Sequence, residues 1–177
     1  IGNLANNFDR IKSLGLKFVL ATNNATRSLS EHQAKLKQFG VDVPRDQILG
    51  SGQATGIYLR KKFGVGTRVY VIGQPSLAET IEEYGLEVVN DLQKDVDVVV
   101  VSFDYTFNYT KLKMASLLVQ RGSFLVGTNS DLTLPSPEGL LPGAGVNLRA
   151  VELASNQRGI VVGKPAPLLY QMALERL

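Results

Sequence analysis

Short β-branched runs alternate along the chain with stretches whose apolar residues recur at helical spacing, and turn residues separate the two. That alternation is the pattern of a parallel sheet covered by helices, an α/β fold. Residues 17–23 (KFVLATN) predict the first strand. Ser28-x-x-Glu31 and Ser30-x-x-Gln33 are overlapping capping boxes, so a helix is predicted there that carries Ala34, Leu36 and Phe39 toward Gly40. A second strand–helix unit is predicted over residues 47–62, ending at Gly64.

The pattern restarts at Arg68. Residues 68–73 predict a strand, 75–84 a helix opened by proline, and 87–89 a short strand. Residues 97–103 (DVVVVSF) predict the centre of the sheet, because four consecutive valines are stiff, β-favouring and apolar on both faces. A helix over 111–120 and a strand over 123–127 follow. The Pro142-Gly143-Ala144-Gly145 turn then introduces a helix over 146–154, and a strand over 160–163 leads into a helix over 165–177, with Pro165 at its first position. The turn-dense loops at Gly64-Val65-Gly66 and Ser155-Asn156-Gln157 divide the chain into 1–65, 66–157 and 158–177, with the middle segment inserted into a discontinuous outer one.

Composition narrows the chemistry. A chain of 177 residues with 44% hydrophobic content can bury one core, or a core and a small insertion. Nineteen basic residues face 16 acidic ones and are scattered, so the net charge of +3 does not argue for nucleic acid. No run approaches the roughly 18 apolar residues of a membrane span and no signal core opens the chain, which predicts no membrane partner and a cytoplasmic location. With no cysteine, disulfides, thiolate catalysis and Cys-based zinc sites are excluded. The single histidine, His32, lies in a polar helical pattern without a Gly-x-Ser-x-Gly elbow elsewhere, and reads as a surface residue. Asn24-Ala25-Thr26 and Asn108-Tyr109-Thr110 match the glycosylation acceptor pattern and read as chance matches.

Two strings carry candidate chemistry. Thr22-Asn23-Asn24 ends the first strand with a hydroxyl and two carboxamides just before a helix start, where anions are stabilised. Gly163-Lys164-Pro165 ends the last strand and sets an ammonium at the carboxyl edge of a sheet, the edge at which open α/β sheets gather ligands. Each also has a local reading, as a polar turn or a strand stop. Asp104-Tyr105 and Thr128-Asn129-Ser130-Asp131 mark two further strand tips, able to select a leaving group or simply to form Asx turns. Gly50-Ser51-Gly52-Gln53-Ala54-Thr55-Gly56 puts its third glycine one residue late for a dinucleotide loop, and no P-loop string occurs.

Together these strings resemble, in order and spacing, the haloacid-dehalogenase-type phosphatases with an inserted α/β cap, the group of 4-nitrophenyl phosphate, phosphoglycolate and pyridoxal phosphate phosphatases. FVLATNNATRS resembles their second motif, VVVSFDYTFNYTKL and GTNSDLTLPSPEGLLPGAG resemble cap segments, and VVGKPAPLLYQMAL resembles the third motif. The resemblance implies a Rossmann-like parallel sheet core, incomplete over these residues, with an α/β cap inserted at 66–157. It implies phosphate binding by Thr22, Asn23 and Asn24, charge compensation by Lys164, and selection of small phosphorylated metabolites by Asp104, Tyr105, Asn129 and Asp131. Mg²⁺ is the implied cofactor, with no metal ligand among these residues. The first motif, with its nucleophilic Asp, and the fourth, with a metal-binding Asp, are expected before Ile1 and after Leu177. The 177 residues alone are accordingly expected to be inactive, and the resemblance also suggests a homodimer formed through the cap. Ser102 and Ser130 stand where the resemblance has Gly and Pro. The alternative reading is a noncatalytic module that binds phosphorylated ligands.

Overall fold

The computed structural model describes residues 3–90 and 95–177. Its largest sheet is built from runs that the valine-rich pattern predicts. Strands β3 (Arg68–Ile72), β4 (Glu87–Val88), β5 (Val98–Val101), β6 (Phe124–Gly127) and β9 (Ile160–Val161) are all parallel, in the order β4-β3-β5-β6-β9. β5 is central, and its four valines are fully buried. Val98 and Val100 join one core with Leu49, Leu59, Leu77, Ile81 and Leu169, on the face covered by α3 (Ser51–Phe63), α4 (Pro75–Glu83) and α7 (Pro167–Leu174). Val99 and Val101 join the opposite core with Leu118, Leu148 and Val151, under α5 (Tyr109–Gln120) and α6 (Ala144–Ser155). A strand apolar on both faces is what a helix-sandwiched parallel sheet requires.

A separate parallel pair joins β1 (Leu20–Thr22) to β2 (Ile48–Gly50), with Thr22 opposite Gly50. It packs with α1 (Leu4–Ser13) and α2 (Leu29–Gln38) around Phe8, Val41, Val43 and Ile48. The capping box at α2 forms as the sequence predicts: the Glu31 N–H donates to Ser28 Oγ, and the Ser28 N–H donates to Glu31 Oε2.

Several expectations need correction. The first strand covers three of the seven residues assigned to it, and Phe39 at the end of α2 is 55% exposed. Pro165 is not the first residue of the last helix. It follows a cis peptide bond from Lys164, and Pro167 takes the N-terminal helical position. The strand of segment 158–177 is hydrogen-bonded to β6, so that segment lends β9 to the sheet of the middle segment while its α7 contacts β1 and α3 of the first. Two elements went unassigned, α1 and an antiparallel hairpin of β7 (Thr133–Ser136) and β8 (Gly139–Pro142).

His32 is half-buried instead of surface-exposed. It lines an apolar hollow with Leu20, Ala21, Thr22 and Leu36, and its Nε2 is buried with no hydrogen-bond partner among the described residues.

Candidate active site

The loop after β1 and the loop after β9 meet at the carboxamide of Asn23. Its Oδ1 accepts the Lys164 N–H at 2.7 Å, and its Nδ2 donates to the Lys164 carbonyl at 2.9 Å. The same Nδ2 donates to Asp131 Oδ2 at 2.9 Å. This assignment is chemically forced, since a carbonyl and a carboxylate can only accept and an N–H can only donate. The Asn23 carbonyl in turn accepts from Asn129 Nδ2 at 3.0 Å and from Ser51 Oγ at 2.8 Å. Residues more than a hundred positions apart thus share one set of hydrogen bonds.

Lys164 is held by this arrangement with its ammonium donating to the Ala21 carbonyl at 3.3 Å, one residue before Thr22. The ammonium thus meets the backbone of β1 one residue before Thr22, which lines the hollow shared with His32. Thr22 Oγ1 accepts the Asn24 N–H at 3.2 Å, and Asn24 Oδ1 accepts both the N–H and the hydroxyl of Thr26. Asn24 is exposed at the mouth of the loop with its side-chain oxygen occupied locally.

Gly163 explains how the loops come this close. Its N–H donates to the Thr128 carbonyl at 2.8 Å, extending the β6–β9 ladder, and a Cβ on it would strike that carbonyl and stand 2.7 Å from Asn23 Oδ1. Gly145 has the same function on the other side of Asp131, where a Cβ would collide with the Ser130 carbonyl while its N–H donates to the Asp131 carbonyl. Both glycines are required for backbone approach.

Beside these loops opens a cleft of about 390 Å³. Of the residues predicted from sequence, Asn23, Asn24, Tyr105, Asn129 and Asp131 line it. Tyr105 is 76% exposed and stands edge-to-face on Phe103, with ring centroids 4.6 Å apart. Asn129 is buried, and its Oδ1 accepts the Asp131 N–H. Asp104 does not face the cleft. Its carboxylate is buried and bonded to the Lys111 ammonium and to the N–H and hydroxyl of Thr106. Burial would raise its pKa, yet these three donors outweigh that effect and hold the carboxyl below its ordinary range. Asp104 is a structural anchor for the start of α5.

Sequence reasoning missed Arg27, Phe103, Thr133 and Leu134 as lining residues. Arg27 lies three residues beyond Asn24, and that nearness was its only signal. Ser102, a departure from the family pattern, is buried: its Oγ accepts from Thr128 Oγ1 at 2.8 Å and its carbonyl accepts from Asn147 Nδ2 at 2.9 Å. Among the described residues no three His, Cys, Asp or Glu side chains converge as a metal site, and no helix is long and apolar enough to cross a membrane.

Known proteins share this architecture. The profile of the haloacid dehalogenase-like hydrolases matches residues 1–87. An acid sugar phosphatase from Staphylococcus aureus is 32% identical over 169 residues, covering 96% of this chain and 64% of its own length. The chain thus spans somewhat under two thirds of that relative. The structure of a p-nitrophenyl phosphatase from Archaeoglobus fulgidus superposes with a TM-score of 0.93 at 28% identity, over 99% of this chain and 67% of the other. A glycerol phosphate phosphatase from Mycobacterium tuberculosis in complex with magnesium superposes with a TM-score of 0.90 at 31% identity, over 99% of this chain and 52% of the other. A putative nagD protein superposes with a TM-score of 0.91 at 32% identity, over 99% of this chain and 68% of the other, and with these likenesses the chain belongs to the haloacid dehalogenase-like hydrolase family.

Proposed function

We propose that the full-length protein is a phosphatase that hydrolyses small phosphomonoesters. The observation that carries this reading is the meeting of the two loops: a lysine ammonium is held against the backbone of β1, one residue before Thr22, by hydrogen bonds from distant parts of the chain. A fixed cation and donor at that place can hold a phosphoryl group and offset the charge that develops as it transfers. Thr22, Asn24 and the backbone at Asn23 are the proposed phosphate contacts, and Lys164 the charge stabiliser. Tyr105, Asn129 and Asp131 face the leaving group from the middle segment, which we propose to be the inserted cap.

Neither Thr22 nor Lys164 attacks phosphorus, and the attacking carboxylate is assigned by the resemblance to sequence preceding Ile1. Mg²⁺ would supply a hard dication that gathers phosphate oxygens. The residues described do not fit it, because Asp131 is the one carboxylate lining the cleft and it is engaged by Asn23. Its ligands are accordingly proposed to lie outside residues 1–177, and these residues alone to be without turnover. Whole-chain relatives named as phosphatases weigh against a noncatalytic binder.

The test is hydrolysis of p-nitrophenyl phosphate by the full-length protein with Mg²⁺. Lys164→Ala is expected to lower kcat/KM by about 10²- to 10³-fold, the usual loss when one preorganised stabiliser is removed. Thr22→Val, which keeps volume and deletes the hydroxyl, is expected to weaken phosphate binding. A Lys164→Ala protein with wild-type turnover would overturn the assignment.

A further inference from the structure

Asn23 is expected to serve phosphate through its backbone, and the geometry gives its side chain separate work. Both ends of its carboxamide are engaged with the backbone of a single residue, Lys164: the oxygen with the N–H and the nitrogen with the carbonyl, at 2.7 and 2.9 Å. Two reciprocal bonds between one residue pair are what an antiparallel ladder uses to fix the relation of two strands. Here a side chain stands in for the second strand. It does so across the loop where Gly163 leaves no room for any other residue. The third contact, from Nδ2 to Asp131 Oδ2, and the support of the Asn23 carbonyl by Asn129 and Ser51 leave the carboxamide no free rotamer and no hydrogen left for a substrate oxygen. Nδ2 has two hydrogens, and both are in use.

We propose that Asn23 is a positioning residue for Lys164. Its carboxamide fixes the Lys164 main chain, and so the point to which the ammonium is delivered, and it does not touch the phosphate. The inference rests on the phosphatase reading, and it separates two functions within one loop: Thr22 and the Asn23 backbone meet the ligand, and the Asn23 side chain meets the residue that offsets the ligand's charge.

A double-mutant cycle in the full-length protein tests it, comparing wild type, Asn23→Ala, Lys164→Ala and the double variant on p-nitrophenyl phosphate with Mg²⁺, with inorganic phosphate binding measured by calorimetry on the same four proteins. If Asn23 acts through Lys164, Asn23→Ala lowers kcat/KM about 10²-fold, and the double variant stays within about threefold of Lys164→Ala alone. Phosphate affinity then follows the same non-additive pattern. Losses that multiply in the double variant, in turnover or in phosphate binding, would show an independent contact with the ligand and overturn the proposal. Should Asn23→Ala not fold by thermal melting, the isosteric Asn23→Asp replaces it in the cycle: it keeps the acceptor for the Lys164 N–H and loses the donor. A wild type that neither turns over nor binds phosphate overturns the phosphatase reading itself, and this proposal with it, whereas a normal wild type with multiplicative losses overturns the Asn23 assignment alone.

Discussion

At the scale of single residues, the chemistry of the site was legible as residue types but not as partners. Thr22 and Lys164 stand out as a hydroxyl and an ammonium at strand ends, although each string also has a local reading. That Asn23 grips the Lys164 backbone, or that Lys111 neutralises Asp104, depends on contacts that no local spacing encodes. His32 was misread for the same reason: its neighbours in sequence are polar, while the hollow that receives it is lined by Leu20, Ala21 and Leu36. Burial pushes its pKa down, more strongly than the Asn24 hydrogen bond and the nearby Glu31 pull it up. The sign follows directly. A histidine whose folded pKa is depressed takes up its proton more readily in the unfolded chain, so its contribution to stability is present above the ordinary histidine pKa and is lost as pH falls below it. Replacing His32 with Gln should therefore flatten the decline of unfolding free energy between about pH 7 and about pH 5. Urea titrations of both proteins at the two pH values check this, and an unchanged slope would count against it.

At the scale of elements, legibility followed how much of the folding information is local. β5 was predicted because four β-branched apolar residues have one comfortable fate, and both cores use them. The hairpin β7–β8 was not, since Pro135 and Pro142 lie inside its strands and demote such runs by the usual rules. It tolerates them because it is a two-stranded ribbon with edges free of further ladder. α1 was missed although Leu4, Ala5, Phe8 and Ile11 recur at helical spacing and Asn3 caps the helix, so its signal was present in the sequence. The central placement of β5 makes a quantitative claim. Val100→Ala removes two methyl groups from a fully buried position in the middle of the sheet, and should cost about 2 kcal/mol, or roughly 4–8 °C in Tm for a protein of this size. Tyr109→Ala, at a position 78% exposed on α5, should stay within about 0.5 kcal/mol. Thermal melts that reverse this order would place the core elsewhere.

At the scale of the whole molecule, the proposed site is an assembly of strand tips contributed by separate stretches of chain: Asn23 after β1 binds Lys164 after β9, and Tyr105, Asn129 and Asp131 after β5 and β6 line the cleft with Asn23. On the roles proposed for them, Lys164 meets the phosphate and Tyr105 the leaving group, so their removal should have different kinetic signatures. Tyr105 offers an exposed ring, braced edge-to-face by Phe103, to the cleft, where it is proposed to meet the leaving group. A ring contact of this kind contributes about 0.5–1.5 kcal/mol, and it is made equally by bound substrate and transition state, because the leaving group's ring does not change as phosphorus is transferred. Tyr105→Ala should therefore raise KM for p-nitrophenyl phosphate by about 2- to 12-fold at nearly constant kcat, and leave inhibition by inorganic phosphate unaltered. Lys164→Ala should do the converse, with the loss in kcat and phosphate affinity and little dependence on whether the ester is aryl or alkyl. Steady-state kinetics on one aryl and one alkyl ester resolve the two signatures; a Tyr105→Ala protein that loses kcat on both esters would mean that the aromatic pair shapes the phosphate end instead, and that the division of labour between the strand tips is wrong.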